Sequence, residues 1–217
     1  IEHVKNRFSE RIRKQPYQRR HITVHLRYSK PPELRVLMPS SLDSAAEKRL
    51  HPYIDVPVTQ PGALLKTIKA LEALGHDVRI YPDAEQWIDQ KLILDGIQSK
   101  VHEIRRDPLQ HPWRKSLLKA ELLPYQMDGI AFAVGAGRAI LADDMGLGKT
   151  IQGVGVAEFY AREAGISRVL VVCPTSLKSQ WRLEIERFSD RSCQLVIGNS
   201  QERSQQYNGE SFFTVCN

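Results

Sequence analysis

From His21 to Tyr28 the run HITVHLRY alternates apolar and polar positions and is rich in β-branched residues. ELRVLM, after Pro31 and Pro32, repeats the pattern, so the two segments read as a strand pair. A linker-like stretch carrying Pro39, Pro52, Pro57 and Pro61 follows. In GALLKTIKALEALGHDVRIY the residues Leu64, Leu65, Ile68, Leu71 and Leu74 share one helical stripe; Gly75 ends the helix and DVRIY reads as a strand. The next segment, DAEQWIDQKLILDGIQSKVHEIRRD, has Asp83 as its N-cap and keeps helical spacing up to the break at Pro108. A domain boundary is therefore expected near Asp107 to Pro112, with a smaller accessory α/β region at 1–110 and a second domain at 111–217.

Beyond that boundary helix and strand alternate. The spacing predicts a helix over Pro124 to Val134, a strand over Arg138 to Ala142 and a helix from Lys149. A strand over Arg168 to Cys173, a helix over Ser176 to Phe188 and strands over Cys193 to Ile197 and Phe212 to Cys216 complete it. This order predicts an α/β fold, part of a RecA-like lobe with a parallel sheet. The strands AILA and VLVVC have no polar alternation, as expected of strands covered on both faces. Trp181 and Phe188, seven apart, share a helix face and read as core.

Of the 217 residues 41% are hydrophobic and 26% charged, which excludes disordered, collagenous and membrane classes. No apolar run approaches the ~18 residues of a membrane span, and Ile1 to Lys14 is amphipathic and charged, so an intracellular protein with no membrane partner is expected. Cys173, Cys193 and Cys216 are odd in number and lack CxxC spacing, so they read as buried thiols in strands. The net charge of +6 is unevenly placed. Ile1 to Lys30 holds nine Lys or Arg against Glu2 and Glu10, a local +7 that leaves the other residues at −1. Arg7, Arg11, Arg13, Lys14, Arg19 and Arg20 form a patch suited to phosphate backbones, or, in the plainer reading, one solvated face of a basic helix.

AILA runs into DDMGLGKT and then a helix, the strand, glycine loop and helix that a phosphate loop requires. Gly146 and Gly148 let the backbone curl its N–H groups toward phosphates, and the helix N-terminus adds positive potential. Lys149 is placed to reach β and γ phosphates and Thr150 to ligate Mg2+, with Asp144, Met145 and Leu147 completing the cradle. The pattern GxxxxGK[ST] has a glycine where this chain has Asp143. Upstream, in LLPYQMDGIAF, Pro124 takes a helix N1 position with Tyr125 and Gln126 in the first turn, and the Gln126 amide suits the N6 and N7 edge of adenine. Downstream, Pro174, Thr175 and Ser176 stand where a strand ends and a helix begins; Ser176 serves either as a helix cap or as a DNA-phosphate contact.

Together LLPYQMDGIAF, DDMGLGKTIQ and VVCPTSLKSQW resemble the Q motif, motif I and motif Ia of the SWI/SNF-type ATPases of helicase superfamily II. PYQ, GIAFAV and ADDMGLGKTIQ are most similar to the HARP-type annealing-helicase branch, and Asp143 is a usual departure in that family. The resemblance covers Leu122 to Cys216. It implies an ATP-dependent translocase acting with Mg2+ on double-stranded or branched DNA, and on proteins bound to it. A DEAH-like motif II is not found among the 217 residues, so the chain is expected to be an N-terminal fragment that binds ATP without efficient hydrolysis. Two other readings stand beside this one: a nonenzymatic DNA-binding or docking module centred on the N-terminal region, and a small-molecule P-loop kinase, which Asp143 disfavours. A bacterial cytoplasm or nucleoid is the expected setting.

If the basic patch touches DNA phosphates, each contact steepens log Kd against log salt by about 0.7 to 0.9. Deleting Ile1 to Arg20 then flattens that slope in a DNA-binding titration and leaves nucleotide affinity unchanged. Equal weakening at every salt concentration would instead mark a packed basic helix.

Overall fold

The computed structural model describes residues 20–217. The amphipathic reading of Ile1 to Lys14 and the phosphate contacts assigned to Arg11, Arg13, Lys14 and Arg19 lie outside the described residues; Arg20 is exposed. The chain divides into two compact units, Ile1–Leu92 and Ile93–Asn217.

In the first unit β1 (Ile22–Arg27) pairs antiparallel with β2 (Glu33–Leu37), as expected, and parallel with β3 (Val78–Ile80). Alternation puts Ile22, Val24, Leu34 and Val36 on one buried face. Leu50 of α1 (Ser44–Leu50), Leu64, Ile68 and Leu71 of α2 (Pro61–Ala73), and Ala84 and Ile88 of α3 (Pro82–Arg106) share that core. Leu74, expected on the α2 stripe, is instead exposed, because the helix ends at Ala73 and Gly75, at φ +88°, turns the chain away. Asp83 does not cap α3, which begins one residue earlier at Pro82; its carboxylate accepts from the Ala84 N–H and the Tyr28 hydroxyl. α1 lies in the proline-rich stretch read as a linker. Asp43 caps it, accepting from the N–H groups of Ala45 and Ala46 at 2.9 Å each.

The division between Leu92 and Ile93 falls within α3, ahead of the expected Asp107 to Pro112 boundary. The reason is packing: Ile97, Val101 and Ile104, on the later turns of α3, belong to the core of the second unit. That unit continues with α4 (Trp113–Ser116), α5 (Pro124–Ala136), α6 (Lys149–Glu163), β4 (Val169–Val172), α7 (Lys178–Phe188), β5 (Cys193–Leu195), α8 (Ser200–Tyr207) and β6 (Phe213–Cys216). Its three strands are all parallel, in the order β4-β6-β5, so the α/β class and parallel sheet are as expected. Phe213 and Val215 of the central strand are buried with Val154, Ala157 and Phe159 of α6, and the Trp113 ring meets Phe159 edge-on at 5.2 Å. Phe188 is buried and Trp181 packs against the same core.

Two strand expectations need correction. Arg138 to Ala142 forms no strand: no described strand pairs with it, and Ile140 is 86% exposed. β4 is covered on one face only, since Leu170 and Val172 alternate outward into solvent. Cys173 and Cys216 are buried and Cys193 is half-buried, its thiol pushed up to about 11 by burial; Cys173 lies just past β4, outside the strand. Among the described residues no helix is long and apolar enough to cross a membrane.

The last turns of α6 are fixed by charge. Glu158, buried, accepts from Arg162 Nε at 2.8 Å and Arg191 Nε at 3.0 Å, while Arg162 also donates to the Leu117 carbonyl at 2.9 Å. Burial raises the Glu158 pKa, but the hydrogen bonds and charges of Arg191 and Arg162 outweigh it and hold the carboxyl below its usual range. A carboxylate so depressed stabilises the fold above its unfolded pKa of about 4.3, and the gain is lost as pH falls through the folded value. Glu158→Gln should cost ~1 to 3 kcal/mol at pH 7 in thermal unfolding. The gap from wild type should close as the pH falls below about 4.

Candidate phosphate-binding loop

The loop between α5 and α6 owes its shape to two glycines. Gly146 at φ +89° and Gly148 at φ +80° are left-handed, a conformation other residues adopt only under strain. Gly148 then serves as N-cap of α6, and Lys149 and Thr150 begin the helix. Lys149 Nζ donates to the backbone carbonyls of Asp143 at 2.7 Å and Asp144 at 2.9 Å. Both acceptors are neutral oxygens, so they hold the ammonium in the loop without cancelling its charge. Asp143, Asp144, Met145 and Gly146 are exposed and Gly148 to Thr150 half-buried.

The first turn of α5 closes the loop from behind. Gln126 is buried; its Oε1 accepts from the Leu123 N–H at 3.0 Å, and its Nε2 donates to the Leu147 carbonyl at 3.4 Å. The Tyr125 hydroxyl donates to the same carbonyl at 3.1 Å. A Cβ at Gly148 would stand 2.6 Å from Gln126 Nε2, so the second glycine is required by contact as well as by φ. The predicted residues of the two motifs therefore do come together.

Pro174, Thr175 and Ser176 are exposed at the carboxyl end of β4, where a short 3-10 turn (Thr175–Leu177) precedes α7. The Ser176 side chain caps neither helix. Thr150 and Leu177 line one cavity of about 80 Å3 with Gln180, Trp181 and Glu184, which sets this segment beside the loop. Two polar residues escaped the sequence reading. Lys178 is buried, donating to the Val196 carbonyl at 2.5 Å and to Asn217 Oδ1 at 3.1 Å. Gln152 is fully buried and donates to Asp143 Oδ2 at 2.7 Å. A polar residue three before Gly155 and seven before Phe159, on an otherwise apolar stripe, is the pattern that would have marked it.

Left-handed glycines, a lysine and a helix N-terminus in one α/β unit define the phosphate-loop class of proteins. Residues 125–216 match the SNF2-related domain. Over that segment the chain is similar to the SWI/SNF-type ATPases of helicase superfamily II, near the annealing-helicase branch. It is 50% identical over 72 residues to the human DNA annealing helicase and endonuclease ZRANB3, covering 33% of this chain and 6% of that protein. To the Xenopus tropicalis SWI/SNF-related matrix-associated actin-dependent regulator of chromatin subfamily A-like protein 1 it is 46% identical over 74 residues, 34% of this chain and 8% of that one. The solved Sulfolobus solfataricus SWI2/SNF2 ATPase core in complex with dsDNA is similar at 31% identity and a TM-score of 0.42, over 50% of this chain and 23% of that one. The chain thus spans less than a tenth of the length of these two curated relatives.

The two loop glycines differ in what a methyl group would meet: nothing lies within 4 Å at Gly146, but Gln126 stands in the way at Gly148. Gly146→Ala therefore carries backbone strain alone, about 1 to 3 kcal/mol, and Gly148→Ala must cost more because Gln126 is displaced as well. Thermal denaturation of the two variants side by side checks the order.

Proposed function

We propose that the chain is the ATP-binding portion of an ATP-dependent translocase or remodeller of double-stranded DNA. The observation that carries this reading is Lys149, whose charge is held by neutral carbonyls at the mouth of a glycine loop, within the segment that matches the SNF2-related domain. The residues present fit ATP and Mg2+. Lys149 and the loop N–H groups suit the β and γ phosphates, and the Thr150 hydroxyl suits the metal. Tyr125 and Gln126 flank the loop; Gln126 Oε1 keeps a second lone pair that can accept from adenine N6, and Nε2 can meet N7 by releasing its long contact to the Tyr125 hydroxyl at 3.5 Å.

ATP supplies the transferable phosphoryl group when bound. The chain's own part is to bind and orient it, since phosphoryl transfer rests on positioning and charge stabilisation. Turnover is assigned to the full-length protein, with this chain alone binding ATP more readily than splitting it. Pro174, Thr175 and Ser176, exposed beside the loop, are the DNA-facing segment of this reading, and Arg20 with the preceding basic residues adds affinity for phosphate. Double-stranded or branched DNA, and proteins bound to it, are the proposed partners.

Lys149→Ala in the full-length protein should abolish DNA-stimulated ATP turnover, because it removes the ammonium held at the loop mouth. Turnover within about a factor of two of wild type, in a phosphate-release assay, would reject the assignment.

A further inference from the structure

Gln152 presents a physical problem. It is fully buried in α6, its Nε2 donates to Asp143 Oδ2 at 2.7 Å, and its Oε1 has no hydrogen-bond partner. A buried amide oxygen without a donor is costly, and a residue that only filled space here would be apolar. The neighbouring helix makes room for it: a Cβ at Gly129 of α5 would lie 2.1 Å from Oε1 and 3.1 Å from Cδ. Gly129 is not in the left-handed region, so its glycine answers to this contact and not to φ.

What the amide holds is the loop. Asp143 stands where the strict phosphate-loop pattern has glycine, and its side chain, otherwise exposed, is tied down by Gln152. Its own carbonyl accepts from Lys149 Nζ at 2.7 Å. One chain of contacts therefore runs from Gly129 through Gln152 and Asp143 to the lysine.

We propose that Gln152 is a positioning residue for the phosphate loop: it anchors Asp143 by its side chain and so sets the carbonyl that aims Lys149, and Gly129 is glycine to admit it. This rests on reading the loop as a nucleotide site. An aspartate at the first glycine position is then an anchor point, and loop order comes from the interior of α6.

The test uses the 217-residue chain, a fluorescent ATP analogue and hydrogen exchange of the amides of 143–148. Gln152→Met keeps the volume and removes the donor; Asp143→Ala removes the acceptor at an exposed position and tests the contact even if the buried variant fails to fold. Each should weaken binding about tenfold and raise exchange in 143–148, and the double variant should be no weaker than either single one, since both remove one contact. Gly129→Ala should do the same by displacing the amide. Asp143→Asn, which retains an acceptor oxygen, should recover most of the affinity that Asp143→Ala loses. Additive losses, affinity within twofold of wild type, or exchange raised throughout α6 instead of in the loop would overturn the proposal. Should wild type bind no nucleotide, the ATP reading fails and exchange decides alone: a loop loosened by Gln152→Met keeps the anchor, and an unchanged loop removes it.

Discussion

The close approach of α5 and α6 is the constraint on which the loop depends. Two glycines permit it, one on each helix. A Cβ at Gly155 would lie 2.4 Å from the Ile130 side chain, and one at Gly129 would meet Gln152 at 2.1 Å. Close-packed interiors do not absorb added methyl groups without moving their elements. Larger residues at either place would part the helices. The first turn of α5 carries Tyr125 and Gln126, and the first turn of α6 carries Lys149 and Thr150. Spacing between the helices thus becomes spacing between the two halves of the site, and the hydrogen bonds from Tyr125 and Gln126 to Leu147 exist only at that separation.

α6 is also fixed at its far end. Glu158 collects Arg162 from its own helix and Arg191 from just before β5, and the Arg191 guanidinium lies 4.7 Å from the Phe212 ring just before β6. Breaking such a pair leaves an uncompensated buried charge, so the arrangement resists sliding of α6 more strongly than an exposed ion pair would. Between the ends, Val154, Ala157 and Phe159 tie the helix to the sheet core. A flexible glycine loop is therefore mounted on a helix that can neither rotate nor shift without disturbing the core, and this lets a soft segment hold a lysine in one place.

The sequence made much of this legible where the pattern is local. β1 and β2 show in their alternation, and GLGKT carries the glycines that φ requires at 146 and 148. What stayed hidden depends on partners distant in sequence. AILA has a strand's composition, yet a strand exists only where a neighbour takes its hydrogen bonds, and none of the described strands does. α8 is not among the expected elements because SQERSQQY has no apolar stripe; Asn199 and Glu202 specify it by a reciprocal cap. The role of Gln152 was invisible for a similar reason: motif I shows its neighbours, but only the fold shows that it faces Gly129 and Asp143.

These facts together say from which side the loop is held. The segment that would attach it to the sheet, 139–142, is irregular and largely exposed, so among the described residues the sheet gives the loop little support. Three contacts from the helical side replace it: Gln152 on the Asp143 carboxylate, Lys149 on the carbonyls of 143 and 144, and Gln126 with Tyr125 on the carbonyl of 147. Each is a single hydrogen bond or a close pair, worth of order 1 kcal/mol net apiece, and of the three the lysine at the loop mouth is the donor that phosphate oxygens could also claim. A polyphosphate arriving at the loop competes for the lysine first, because the charged donor gains most from a charged acceptor. Gln152 is buried beneath the loop and out of that competition, so it can keep its grip on Asp143 while the lysine changes partners. On the proposed nucleotide reading, the loop would give up its outer contacts to the ligand and retain its inner one.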